Sequence, residues 1–105
     1  MEEKKVPQWL SELSEEDYQF LKRLVLASGS LKEVAGEYGI SYPTVRIRLD
    51  RLIEKIRLLD GAGETDPFHL RIRLMVADGQ IAPTTAKAIM KEYEKTLRRK
   101  DDNES

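Results

Sequence analysis

The middle of the chain encodes two short helices separated by a tight turn, and this pattern constrains the fold more than any other feature. Ala35 is followed four residues later by Gly39, and Val45 comes six residues after the glycine. A small residue lets two helices cross closely, and a glycine adopts the positive φ that a short turn between them requires. The spacing predicts a helix-turn-helix, although any tight corner between two helices needs a small residue and a turn glycine.

Both helices of this motif have recognisable starts. Ser30 followed by Glu33 has the spacing of a capping box. Ser41 followed by Pro43 places a cap and then a first-turn proline, where no backbone N–H is needed. Apolar residues recur at helical spacing along the second helix and predict one buried stripe, made of Val45, Leu49, Leu52, Ile53 and Ile56.

A further helix precedes the motif and completes a three-helix domain over residues 1–58. It starts at Ser14, whose hydroxyl and following acids suit a helix N-terminus, and it stops at Ser28-Gly29. Before it, Pro7 opens a short turn that we expect to fold onto the core through its apolar side chains, Trp9, Leu10 and Leu13.

The C-terminal third predicts a helical hairpin over residues 67–100, a candidate oligomerisation element, after a linker at 59–66 rich in glycine and acids. The first helix of this hairpin covers 68–77, but this segment also alternates as a strand would. Pro83 opens the second helix, whose apolar face is Ala86, Ile89, Met90, Tyr93 and Leu97. We expect the tail, residues 101–105, to fray. The predicted class is therefore all-α.

Composition excludes several classes of function. There is no cysteine, which removes disulfides and thiolate metal sites, and the single histidine, His69, has no ligand partners at a suitable spacing. No nucleophile elbow or phosphate loop is present, so we expect no enzyme, no cofactor and no metal. No apolar run spans a bilayer and no segment resembles a signal peptide, so we expect a cytoplasmic protein without membrane contact.

Charge is distributed unevenly although the net charge is only −1. Between Tyr42 and Leu58 five basic residues stand against two acids, whereas the first twenty residues carry two basic residues against six acids. Positive charge on the second helix of a helix-turn-helix is the distribution that binding to DNA phosphates requires.

The outward face of that helix supplies the candidate site. Arg46 is placed to contact guanine, and Ile47 is placed to pack on a thymine methyl group. We expect Arg48, Arg51 and Lys55 to bind phosphates. The remaining candidates lie at the helix start or on the same face: Ser41, Tyr42, Thr44 and Asp50. For each residue the alternative is a solvated helix face, with Arg46 and Asp50 as simple neighbours.

Residues 31–57 resemble the helix-turn-helix of bacterial sigma factors (region 4), which reads the −35 promoter element. The wider stretch from Pro7 through Ile56 resembles a bacterial family known as a domain of unknown function, whose members often carry an N-terminal zinc ribbon. That ribbon is absent from this cysteine-free chain. The stretch Leu74–Met90 is similar to short helix-Gly-helix segments appended to many bacterial proteins, which implies oligomerisation.

These observations predict a small bacterial transcriptional regulator that binds specific double-stranded DNA sequences as a homodimer. RNA polymerase or another protein is a further expected partner. The alternative is a helical protein-interaction module without DNA binding, in which the apolar face of the last helix, with Leu70, Leu74 and Met75, forms the partner surface.

Overall fold

The N-terminal helices are fixed by their first turns. The computed structural model describes the backbone of residues 5–61, 63 and 65–104, with side chains as far as residue 100. Helix α1 spans Gln8–Ser11 and α2 spans Glu15–Leu26. At the start of α2, the Ser14 hydroxyl accepts a bond from the Asp17 N–H, and the Asp17 carboxylate accepts one from the Ser14 N–H. This reciprocal pair is a complete capping box.

The next two helices form the predicted helix-turn-helix. Helix α3 spans Leu31–Tyr38 and α4 spans Tyr42–Asp60. Gly39 joins them in the left-handed conformation, with φ of 66°, and the N–H of Ile40 donates back to the Ala35 carbonyl at 3.1 Å. The Ser30 hydroxyl accepts from the Glu33 N–H at 3.2 Å, so Ser30 caps α3. The predicted capping box is not completed, because the Ser30 N–H donates to the Ala27 carbonyl at 3.0 Å and not to the Glu33 carboxylate.

The segment that also alternates like a strand is helical. Helix α5 spans Pro67–Ala77 and α6 spans Pro83–Glu104, and the described part of the chain contains no strand. Asp66 caps the N-terminus of α5, because its carboxylate accepts from the N–H groups of Phe68 and His69. A capped first turn with a proline favours a helix over an extended strand.

Two predicted boundaries are wrong. Helix α4 continues to Asp60 because Leu59, which is only 2% exposed, is part of the core, so the linker predicted over 59–66 begins two residues later. Helix α6 continues to Glu104, so its helical span includes four residues of the segment predicted as a tail, while the fraying of that segment stays a prediction. Within the linker, residues 62 and 64 lie outside the described part of the chain.

A single core joins both halves of the chain. Val34 of α3 and Val45 of α4 are completely buried at the helix-turn-helix corner. Leu52 and Leu59 continue the buried face of α4, and Leu74 of α5 packs into the same cluster. The α5 helix is therefore docked on the rear of α4, and it does not form a separate unit beyond a linker.

The turn between α5 and α6 lies against α4. Gly79 has a φ of 74°, and a β-carbon at this position would lie 2.6 Å from Nη2 of Arg51. The end of the arginine side chain therefore occupies the space that any other residue at position 79 would need. Asp78, in the same turn, lies 3.0 Å from Nζ of Lys55 and links the turn to α4.

Gly79→Ala and Gly39→Ala should destabilise the fold by similar amounts. Both glycines have positive φ, which costs an alanine about 1–2 kcal/mol. Position 39 has open space around it, and at position 79 the obstacle is the flexible end of the exposed Arg51 side chain, which moves at little cost. Urea unfolding measures both losses; a much larger loss at position 79 that disappears in an Arg51→Ala background would show instead that the guanidinium is held in place.

Candidate nucleic-acid interface

The N-terminal half of α4 presents a face that the core does not cover. Because Val45, Leu52 and Leu59 define the buried side, the residues on the opposite side point into solvent. Tyr42 and Ile47 are both 53% exposed, although their side chains are large and mainly apolar. The two side chains are five residues apart, about 140° around the helix axis, so Ile47 lies opposite the core and Tyr42 lies to one side at the helix start.

Hydroxyl groups mark the start of this face. The Ser41 hydroxyl accepts from the Thr44 N–H at 3.4 Å and lies 2.8 Å from the Thr44 hydroxyl. One of these two hydroxyls donates to the other, so the pair retains further capacity for hydrogen bonds on its exposed side. Unsatisfied backbone N–H groups at a helix start also favour a nearby anion.

Arg46 and Asp50 are one turn apart on the exposed face. Nη2 of Arg46 lies 3.3 Å from Oδ1 of Asp50, and both side chains are more than half exposed. An exposed ion pair of this kind contributes little to stability. The contact places the Arg46 guanidinium beside the Asp50 carboxylate on the exposed side of α4.

Arg48 lies on a different side of α4 and is used within the fold. Its guanidinium bonds to the Glu16 carboxylate at 2.9 Å. It also lies over the rings of Phe20 and Tyr38, at 5.2 Å and 4.9 Å from their centroids. Arg48 thereby connects α4 to both α2 and α3 and helps to orient α4. The sequence predicts a phosphate contact for this residue.

Lys55 is also buried within the fold, where it forms ion pairs. The whole residue is only 8% exposed, and its Nζ contacts the carboxylates of Asp17 and Asp78, the second at 3.0 Å. Burial by itself lowers the pKa of the Lys55 amine, but the hydrogen bonds and charges of the two aspartates outweigh it and raise that pKa. The prediction that Lys55 binds phosphate is corrected, because a buried ammonium with two carboxylate partners does not face a ligand.

The same contacts shift the pKa of Asp17 in the opposite direction to that of Lys55. Burial by itself raises the pKa of its carboxyl group, but the bond from Lys55, the Ser14 N–H and the Lys55 charge together lower it below the usual value. This ionised carboxylate serves α2 as a cap and α4 as an ion partner. It therefore couples the start of α2 to the turn after α5 through Lys55.

The nine predicted residues therefore divide into three groups. One group lies on the exposed N-terminal half of α4 or at its start: Ser41, Tyr42, Thr44, Arg46, Ile47 and Asp50. Arg48 and Lys55 serve the fold, and Arg51 is exposed but packs its guanidinium on Gly79. Contact of the first group with DNA stays a prediction.

Sequence reasoning missed the acids that neutralise part of α4. The sequence pattern predicts the acids after Ser14 only as N-terminal residues of α2, and it predicts no contact for Asp78. The sequence contains a hint, since Lys55 lies between Leu52 and Ile56, two positions of the predicted buried stripe. The pairing itself depends on how α2 and α5 pack on α4.

The comparison with known families agrees with this architecture. A family model described as a domain of unknown function (DUF2089) with a helix-turn-helix matches residues 13–59, just under half of the chain. The matched segment contains α2, α3 and nearly all of α4. The chain is thus similar over this segment to a helix-turn-helix family. No curated protein and no solved structure matches the chain.

Other kinds of site find no support within the described residues. They contain no group of three or more histidine and acidic residues arranged to hold a metal ion. No helix among them is long and apolar enough to cross a membrane. His69 is half-buried in α5, with its Nε2 4.0 Å from the Glu94 carboxylate.

Lys55→Met should reduce the loss of stability in acid. The depressed pKa of Asp17 means that its ionised form stabilises the fold above the unfolded value, about pH 4, and that this contribution is lost as the pH falls further. Without Lys55 the pKa of Asp17 should rise, so the free energy of unfolding should change less between about pH 6 and pH 3.

Arg46→Met is the matched control, because it removes one positive charge from the exposed pair on the same helix. It should keep the acid dependence of the wild type in urea unfolding measured at each pH. If the Lys55 and Arg46 variants show the same acid dependence, the buried ion-pair cluster is not the source of the effect.

Proposed function

We propose that this chain binds double-stranded DNA through the exposed N-terminal half of α4, as a sequence-specific transcriptional regulator in a bacterium. The observation that carries the proposal is the placement of Arg46 and Ile47, both exposed, on the second helix of a helix-turn-helix. This helix enters the major groove in proteins of that architecture, and its N-terminal residues contact base edges.

The residues of the face have distinct proposed roles. Arg46 donates two hydrogen bonds to O6 and N7 of a guanine, which is the commonest specific contact in the major groove. Ile47 packs on the methyl group of a thymine, and this contact would explain why an apolar side chain is exposed here. The hydroxyls of Ser41, Tyr42 and Thr44 bond to phosphates and fix the register of the helix on the duplex.

The charges left on the surface suit moderate affinity. After Arg48 and Lys55 are paired within the fold, the charged residues that remain on α4 up to Leu58 are three arginines and two acids, which are Arg46, Arg51, Arg57, Asp50 and Glu54. A small positive excess supports few phosphate contacts, so specific contacts must supply a larger share of the binding energy. We propose a binding role and no catalytic activity.

The proposal is tested by selecting bound sequences from a random duplex pool at two salt concentrations. Arg46→Ala should weaken binding to the selected duplex by about 5- to 150-fold, the equivalent of about 1–3 kcal/mol. Lys32→Ala removes an exposed basic residue from α3 and should change the affinity little. Fluorescence anisotropy measures both affinities, and circular dichroism confirms that each variant keeps its helices.

Two results would contradict the proposal. One is the absence of any enriched sequence at the lower salt concentration. The other is an equal loss of affinity in Arg46→Ala and Lys32→Ala, since binding through general positive charge would not distinguish the two positions.

Asp50→Ala should lower discrimination while raising affinity for unrelated duplexes. The substitution removes a negative charge that repels phosphates, and it also frees Arg46 from the restraint that orients it. The ratio of dissociation constants for scrambled and selected duplexes should therefore fall. Glu54→Ala removes the same charge one turn later and should raise both affinities without changing the ratio; an unchanged ratio in Asp50→Ala would exclude its orienting role.

A second candidate function, assembly through the C-terminal helices, is favoured by the exposed surface of α6. It is compatible with DNA binding because α6 and the N-terminal half of α4 are different surfaces.

A further inference from the structure

A polar cavity lies between the start of α2, the middle of α4 and the turn after α5. Its volume is about 390 Å³, which is within the range of small-molecule sites in proteins. The charged side chains that line it comprise three of each sign: Arg48, Arg51, Lys55, Glu16, Asp17 and Asp78. The wall of the cavity is therefore electrically neutral as a whole.

Most of these charges are already paired within the fold. Arg48 bonds to Glu16, one charge to one. Lys55 is shared by the carboxylates of Asp17 and Asp78, so this cluster carries one negative charge in excess at neutral pH. The excess is accessible at Asp78, whose side chain is 37% exposed, compared with 19% for Asp17.

Arg51 supplies the opposite charge. Among the described residues it forms no ion pair and donates no side-chain hydrogen bond. Its guanidinium lies against Gly79, the residue that follows Asp78. One positive charge without an acidic partner and one excess negative charge therefore border the same cavity at neighbouring residues.

These two charges define the chemistry of a ligand. The planar guanidinium of Arg51 presents N–H donors in a fork that matches a carboxylate, and the Asp78 carboxylate accepts from an ammonium group. A phosphate with two negative charges is disfavoured, because three carboxylates line the cavity. The neutral wall favours a ligand with one charge of each sign.

The placement of the two charges also limits the size and side chain of the ligand. Since Arg51 contacts the residue next to Asp78, a carboxylate and an ammonium group on a single carbon atom suit the site better than the same groups at the ends of a long chain. Ser14 and Gln80, which complete the polar lining, are uncharged and suit an uncharged side chain.

We propose that this cavity binds a free α-amino acid with an uncharged side chain, its carboxylate on Arg51 and its ammonium group on Asp78. The site is built from three separate parts of the chain, which the fold brings together around α4. The proposal does not depend on DNA binding, because neither Arg51 nor Asp78 is among the residues proposed to contact bases.

Isothermal titration calorimetry of the full chain tests the proposal, with L-amino acids that have uncharged side chains added one at a time. At least one of them should bind at millimolar concentration or below. Inorganic phosphate, acetate and ethylamine are the comparison probes, and each should bind more weakly because it engages only one of the two charges. Binding of none of the amino acids, or tighter binding of a comparison probe, would overturn the proposal.

Derivatives of the amino acid that binds most tightly test its two charged groups separately. This route avoids a substitution of Asp78, which also pairs with Lys55. The primary amide lacks the carboxylate, and the N-acetyl derivative lacks the ammonium group. Each should bind at least about tenfold more weakly than the parent. A derivative that retains the affinity of the parent would contradict the contact of the group that it lacks.

Arg51→Met tests the protein side of the carboxylate contact. It should weaken binding by about 10- to 150-fold, the effect of losing a hydrogen bond to a charged group. Arg57→Met is the matched control, because Arg57 is an exposed arginine on the same helix that does not line the cavity, and its affinity should equal that of the wild type. Circular dichroism checks that both variants keep their helices. Equal affinities of the two variants would overturn the site.

Discussion

The burial of one side of α4 determines most of what this molecule presents to a partner. Val45 packs at the corner with α3, and Leu52 and Leu59 extend the same buried side towards α1 and α5. Once that side is fixed, helix periodicity places Ile47 and Asp50 on the opposite side. Transfer of these apolar side chains out of water therefore sets the orientation of the exposed face.

The ionic contacts refine this arrangement and also reduce the charge available for DNA. Lys55 lies between Asp17 of α2 and Asp78 after α5, and Arg48 reaches Glu16 across the rings of Phe20 and Tyr38. Removing one partner of the buried Lys55 cluster is costly, because it leaves the other charge uncompensated. Glu16 is 79% exposed, so its pair with Arg48 contributes less. Lys55 and Arg48 are thus paired with acids inside the fold. The net charge of −1 agrees with this pairing, because the chain has an acid for every basic residue.

The local features of the fold could be predicted from sequence because they depend on neighbouring residues. The caps at Ser14, Ser30 and Ser41 and the left-handed turn at Gly39 each involve residues within a few positions of one another. The ends of α4 and α6 could not be predicted. Leu59 extends α4 because it packs with distant parts of the chain, and no local pattern encodes that contact.

The candidate site shows the same division between local and distant effects. Helical spacing was enough to place Arg46, Ile47 and Asp50 on the outward side of α4. It could not show that Lys55 turns inward or that the Arg51 guanidinium packs on Gly79, because both depend on residues more than twenty positions away. A basic residue on a helix is therefore a reliable candidate for a ligand only when the elements that pack around it are known.

Nuclear magnetic resonance titration of the labelled protein with the selected duplex tests the central claim most directly. If the N-terminal half of α4 binds DNA, backbone amide signals from Ser41 to Asp50 should shift most, and those of α6 beyond Tyr93 should change little. Shifts concentrated on α6, or no shifts at all at low salt, would contradict the account.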